Sequence, residues 1–253
     1  LAEGETIIYN AACEPHVQDL ANLLNAMGAS VSGIGTNRIH VQGVPSLHGT
    51  THRVQPDFIE IGSFIAAAVA TGGALTIPHA GDPLVLNIMQ RTYARLGVQW
   101  RVDDAGTLHL PQQIDRTIQG DIGNDTPKIE DGIWPAFPSD LMSVAIVLAT
   151  QTKGTTLFFE KMFESRMYFV DHLMSMGANI IPCDPHRVVV VGPTQLRGSI
   201  LTSPDIRAGM AMLIAACCAN GESLIKNASV IDRGYEAIED RLTQLGANMV
   251  REL

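Results

Sequence analysis

The sequence predicts an α/β fold of an inside-out kind: a barrel of repeated βαβαββ-type units whose most apolar helices are buried and wrapped by strands. Three observations predict it. Four stretches, LAEGETII, ATGGALTI, QTKGTTLFF and CANGESLI, each join a glycine to a short β-rich run, and Gly4, Gly73, Gly154 and Gly221 are 69, 81 and 67 residues apart. A second series, NAMGASV, ARLGVQW, SMGANII and QLGANMV, ends amphipathic helices with Gly28, Gly97, Gly177 and Gly246, spaced 69, 80 and 69. Two independent markers moving in step define a repeat of about 70 residues. The third observation is a set of segments apolar nearly all round: DFIEIGSFIAAAVATG, DLMSVAIVLAT and DIRAGMAMLIAACC. A helix without a polar face must be buried on nearly every side.

Each element of the unit has its own reason. Glycine just past a helix supplies the left-handed residue that commonly ends it. A strand follows, then a helix such as HVQDLANLLNAM, with Val17, Leu20, Leu23, Leu24 and Met27 on one face. ASVSGIGTNRIHVQG and NIIPCDPHRVVVVG read as strand pairs joined by turns. Leu1 to Gly4 align with the tail of an apolar helix, so the chain is expected to start inside a unit and to be a piece of a longer protein. Around THRVQPD, Pro56 restricts its neighbour and marks a linker or crossover. Residues 1–55 are thereby expected to be the last, truncated unit of one domain, and 56–253 a second domain of three units.

Of the 253 residues 46% are apolar, enough for a large core. No segment approaches the roughly 20 consecutive apolar residues of a membrane-spanning helix. A formal net charge of −9 argues against a nucleic-acid surface. It does not argue against a small anionic ligand, because a few clustered arginines can dominate a cleft. Cys13, Cys183, Cys217 and Cys218 have neither metal-ligand nor disulfide-framework spacing and read as reduced core thiols of a cytoplasmic protein. The eight histidines lack ligand spacing, and neither a P-loop nor a GxSxG elbow occurs. No metal or cofactor is expected.

Asp57, Asp140 and Asp205 stand at equivalent positions, each opening an apolar helix. Aspartate there caps free backbone N–H groups, and for Asp57 that account suffices. Asp140 follows the stiff, partly apolar loop WPAFPS, so cap and general base are both open for it. Asp205 has Arg207 two residues on, which suits a local ion pair or an anion pocket. Arg166 and Arg233 open the amphipathic helices in MFESRMYFV and IDRGYEAIED. A cation in a helix's first turn opposes the helix dipole, so either an anionic ligand sits there or each pairs with its neighbour, Glu164 or Asp232.

The strings NAACEPHVQDLANLLNAMGA, GTNRIHVQGV, PAFPSD, FESRMYFV, DIRA and IDRGYEAIEDRLTQLGA together resemble the UDP-N-acetylglucosamine 1-carboxyvinyltransferase family, from the first residue to the last and over its C-terminal three-fifths. The resemblance implies an enolpyruvyl transferase fold of two inside-out α/β barrels. It implies two substrates, phosphoenolpyruvate and UDP-N-acetylglucosamine, and transfer of the enolpyruvyl group to the sugar 3′-hydroxyl through a tetrahedral intermediate, with release of phosphate. By the same resemblance Asp140 contacts that hydroxyl as base, and the Met162 backbone meets the N-acetylglucosamine moiety. Arg207 and Arg233 face the carboxylate and phosphate of the donor, Arg166 handles substrate, and Asp205 lies near the reacting centre, at an interdomain cleft. Ser165 departs from the family's usual Asn, Phe58 from a frequent Arg, and GDIGNDTPKIEDGIW is longer and more acidic than usual. The family's N-terminal lysine, asparagine and cysteine-bearing lid would precede Leu1, so this chain alone is expected to turn over little. Enolpyruvylshikimate-phosphate synthase shares the architecture and is the alternative enzyme; a non-catalytic nucleotide-sugar-binding paralogue is the alternative outside catalysis.

Overall fold

The computed structural model describes residues 1–113, 116–120, 123 and 125–252. They form two compact units: Leu1–Asp57 with Ile133–Ala136, and Phe58–Gly132 with Phe137–Leu253.

The first unit holds β1 (Glu5–Tyr9), α1 (Pro15–Ala26), β2 (Ser30–Ser32) and β3 (Arg38–Gln42). β3 lies between the other two strands and is antiparallel to both, with Val41 opposite Thr6 and Val31. Helix α1 carries the chain across, leaving a slot between β1 and β2 that the returning strand fills. Its predicted apolar face is only half covered: Leu20 is exposed, and only Ala21 of the helix is buried. One three-stranded sheet is too narrow to cover that whole face.

The second unit repeats this device. It contains α2 (Phe58–Ala70), β4 (Leu75–Ile77), α3 (Pro83–Arg95), β5 (Arg101–Val102) and β6 (Leu108–Leu110). Next come β7 (Lys128–Glu130), α4 (Met142–Thr150), β8 (Gly154–Phe159), α5 (Val170–Ser175), β9 (Asn179–Asp184) and β10 (Arg187–Gly192). β11 (Ile200–Thr202), α6 (Ile206–Cys218), β12 (Leu224–Lys226) and α7 (Ile238–Gln244) complete it. The sheet orders β4-β6-β5 and β8-β10-β9 match β1-β3-β2. Around α4 and α6 a second regularity appears: β7 pairs parallel with β8, and β11 with β12. A parallel pair needs a crossover, and in both cases the apolar helix is the crossover.

The glycine markers have the predicted backbone. Gly28, Gly97, Gly177 and Gly246 all have φ between +74° and +103°, each one residue past a helix C-cap. In the other series Gly4, Gly154 and Gly221 are left-handed, but in the second copy Gly72 takes that conformation instead of Gly73.

Helices α2, α4 and α6 pack against one another at the centre of the second unit. All nine residues of α4 are buried. Its hydroxyls are satisfied internally: Thr150 Oγ1 donates to the Val147 carbonyl at 2.6 Å and Ser143 Oγ to the Arg207 carbonyl at 3.0 Å. The apolar helices are thus interior, as expected, but the described strands form four separate sheets instead of a closed barrel. The cysteine expectation also needs correction: all four are free, but Cys183 and Cys217 are exposed, on β9 and at the end of α6.

Close helix approach depends on Gly62. A Cβ there would lie 2.8 Å from both Cδ atoms of Leu141, which is fully buried, and the Gly62 carbonyl accepts from Tyr93 Oη at 2.9 Å. Gly62→Ala is expected to destabilise the chain by about 1–3 kcal/mol through overpacking. Urea unfolding reads this directly, and an unshifted midpoint would refute the tight contact.

Candidate functional site

Pro138 leads into a 3-10 turn, Ser139–Leu141, that continues into α4. Ser139 and Leu141 are buried, which leaves Asp140 projecting with its side chain about one-third exposed. It is not a cap, since neither that turn nor α4 has a side-chain cap. Instead Oδ1 meets Arg166 Nη1 at 3.1 Å and Oδ2 meets Arg207 Nη2 at 2.9 Å. The other aspartate follows the opposite rule. Asp205 is the N-cap of α6, its Oδ1 accepting from the backbone N–H of Arg207 at 2.8 Å and of Ala208 at 2.9 Å. Capping aims the following Arg207 away from Asp205 and across to Asp140.

Arg207 is the more buried of the two arginines that meet Asp140. Its guanidinium lies 5.6 Å from the Tyr235 ring centre, and the buried Tyr235 hydroxyl is 2.8 Å from Ser63 Oγ. Burial works against its charge, but Tyr235 and Asp140 outweigh that and hold the guanidinium above its ordinary value. Nη1 is buried and has no hydrogen-bond partner among the described residues. A Cβ at Gly234 would come within 3.3 Å of that nitrogen, so glycine keeps the space beside it clear.

Arg166 lies in a run of turns at 164–169, ahead of α5, with its guanidinium 4.7 Å from the Phe163 ring centre. It therefore does not open a helix, and its ion-pair partner is Asp140, not Glu164. Ser165 beside it has φ +66°, a conformation that asparagine tolerates better than serine. Arg233 ends the 3-10 helix Ala228–Arg233 and is exposed. The neighbour expected to pair with it, Asp232, is held by Arg251 through two contacts of 2.7 Å. Among the described residues Arg233 has no ion-pair partner. The structure thus brings Asp140, Arg166, Arg207 and Asp205 together, whereas Arg233, next to Gly234, makes no ion pair with them among the described residues.

Arg166, Asp205 and Arg207 line one recess with Ser139, Met167 and Glu160. Beneath it lies an acid pair that the sequence reading did not single out. Asp131 and Glu160 are 0% and 1% exposed. Glu160 accepts from Ser139 Oγ at 2.8 Å and from the N–H groups of Met162 (3.0 Å) and Phe163 (3.1 Å). Asp131 accepts from the N–H groups of Lys161 (2.5 Å) and Met162 (3.2 Å). The Met162 N–H therefore faces inward, while its side chain is exposed. Burial first, then the neighbouring Asp131, push the Glu160 carboxyl up to about 7. A signal for Glu160 was present: Thr156, Phe158 and Glu160 alternate onto the buried face of β8 and its extension. Of the acidic insert at 120–134, Asp121, Ile122 and Asn124 lie outside the described residues.

Chemically, two guanidinium groups meet one carboxylate, and the second carboxylate is engaged by a helix end. Such partly exposed pairs contribute about 1 kcal/mol or less to stability. The excess positive charge and the free N–H bonds of Arg207 are suited to a small, multiply charged anion with a planar carboxylate or a phosphate. Among the described residues no His, Cys, Asp and Glu side chains cluster as a metal site. Among the described residues no helix is long and apolar enough to cross a membrane.

Residues 1–242 match the family of EPSP synthase (3-phosphoshikimate 1-carboxyvinyltransferase). The chain is 54% identical over 252 residues to the UDP-N-acetylglucosamine 1-carboxyvinyltransferase of Treponema pallidum, covering all of this chain and 59% of that one. It is 53% identical over 249 residues to the same-named protein of Borrelia garinii, covering 98% and 58%. The chain thus spans about three-fifths of the length of these curated relatives. Among solved structures, the enolpyruvyl transferase NikO from Streptomyces tendae superposes with a TM-score of 0.82 at 24% identity, over 97% of this chain and 56% of that one. EPSP synthase from Acinetobacter baumannii gives 0.72 at 19% identity, over 99% and 59%. At those identities the likeness is one of fold.

Proposed function

The chain belongs to the EPSP synthase (3-phosphoshikimate 1-carboxyvinyltransferase) family, and we propose that it serves transfer of the enolpyruvyl group from phosphoenolpyruvate to the 3′-hydroxyl of UDP-N-acetylglucosamine, releasing phosphate, in cytoplasmic synthesis of a peptidoglycan precursor. The observation that carries the reading is the convergence of Arg166 and Arg207 on the two oxygens of Asp140. The names of the relatives at 53–54% identity favour UDP-N-acetylglucosamine over shikimate phosphate as acceptor.

In this reading Asp140 stands in for the substrate anion. The donor's carboxylate and phosphate displace it from the arginines, and a freed oxygen then accepts the proton of the sugar hydroxyl. Arg207 binds the donor, Arg166 steadies it, and Arg233 approaches the phosphate. Asp205 fixes the Arg207 backbone near the reacting centre, and the Met162 main chain meets the N-acetylglucosamine group. The inside-out barrel, and the division into 1–55 and 56–253, belong to the same proposal.

The test is phosphate release from a chimaera in which this chain replaces the matching three-fifths of the Treponema pallidum relative. Turnover with phosphoenolpyruvate and UDP-N-acetylglucosamine, and none with shikimate 3-phosphate, is expected. The reverse preference would establish the shikimate-type alternative. Binding of the nucleotide sugar without phosphate release would point to a non-catalytic binder.

A further inference from the structure

We propose that Asp131 and Glu160 act together as positioning residues that set the 161–163 main chain and the Ser139–Asp140 turn at this site. The inference deepens the function proposed above, since it concerns the support of the same recess, but its geometry stands by itself.

Two carboxyl groups buried side by side cannot both carry a charge without strong repulsion, and no cation reaches either of them among the described contacts. Lys161, whose main-chain N–H reaches Asp131, pairs its ammonium with Glu130 at 3.2 Å. What the pair has instead is hydrogen-bond donors. The consecutive N–H groups of Lys161, Met162 and Phe163 all point at it, and Ser139 donates from the other side. Those donors satisfy one negative charge, and a single proton between the two acids removes the other.

The consequence is mechanical. Three successive N–H groups directed inward leave the side chains of Met162 and Phe163 exposed above, and Phe163 lies under Arg166. Ser139 immediately precedes Asp140. One buried pair therefore ties down two segments that present Asp140 and Arg166 to each other. Arg166, Asp205 and Arg207 share the recess with Glu160, so its charge state is felt there. On the opposite side His186 Nδ1 lies 3.1 Å from the Glu160 carbonyl, and the Glu160 N–H donates to the His186 carbonyl at 2.9 Å.

The sign with pH follows from the raised Glu160 carboxyl. The folded chain keeps this proton up to about pH 7, whereas the unfolded chain loses it in the ordinary glutamate range. The pair's support is complete at the low end of that window and is lost as pH rises through about 7.

Amide hydrogen exchange on this chain, corrected for intrinsic rates, tests the proposal at Lys161, Met162 and Phe163. In the parent, protection is expected to fall as pH passes about 7. Glu160→Gln and Asp131→Asn keep a donor between the two groups, so protection should persist and the step vanish. Glu160→Ala should speed exchange at Met162 and Phe163 at least roughly tenfold, the scale of a lost charge-assisted hydrogen bond, with β10 unchanged. If Glu160→Ala does not fold, the two amide variants carry the test. A parent without the step, or a step that survives in both amide variants, overturns the proposal. An inactive chimaera would remove the function proposed above and leave this exchange result standing.

Discussion

Asp140→Asn in the chimaera lowers kcat about 10²–10⁴-fold, the usual contribution of a positioned general base, while the KM for phosphoenolpyruvate holds or falls. The split follows from the double role of the carboxylate. In the proposed function it is the base that takes the proton of the sugar hydroxyl, and an amide cannot take that proton. As the resting partner of Arg166 and Arg207 it competes with the incoming donor, and asparagine competes less because it has no charge. The fold tolerates the change: Asp140 caps no helix, and the pairs it loses are partly exposed, worth about 1 kcal/mol or less. Steady-state rates against both substrates, with an unfolding curve of this chain alone, separate these effects. A kcat within tenfold of the parent would remove Asp140 as base, and a steep rise in the donor KM would make it a binding group.

The repeat was legible because it is written in two physical signals that do not depend on distant contacts. Left-handed glycines at helix ends are local requirements, and all four of Gly28, Gly97, Gly177 and Gly246 adopt the expected backbone. Helices apolar on every side can only be interior, and α4 is buried along its whole length. Pairing across the molecule was less legible. Neighbours in sequence offered Arg166 and Arg233 obvious partners, yet Asp140 lies 26 residues from Arg166 and Arg251 takes Asp232. Asp140 and Asp205 sit in matching places in the repeat and do different work. The difference lies in the preceding segment: extended backbone at Asp205 turns its carboxylate onto α6, whereas the 3-10 turn at Asp140 projects it outward. The acid pair is weakly marked in the sequence because burial of a carboxylate is unexpected by type, and only the alternation along β8 points to Glu160.

Arg207→Lys is expected to reduce kcat/KM for phosphoenolpyruvate roughly 10²-fold, although the charge is kept, because a bidentate charge-assisted contact is replaced by a point charge. The native side chain does three things through one flat group. It meets Asp140 with Nη2, lies over the Tyr235 ring, and keeps Nη1 buried and unpaired beside Gly234. A donor oxygen placed against Nη1 completes a planar fork with Nη2, and a lysine ammonium, which has no second planar nitrogen, offers no such fork. Arg207→Met, lacking charge as well, should bind inorganic phosphate more weakly than Arg207→Lys, and both should leave the Asp205 cap intact because it uses the main-chain N–H. Calorimetry with phosphate on this chain and kinetics in the chimaera read the two levels. If Arg207→Lys stays within threefold of the parent in both, charge alone suffices, and the orphaned nitrogen has no part in holding the donor.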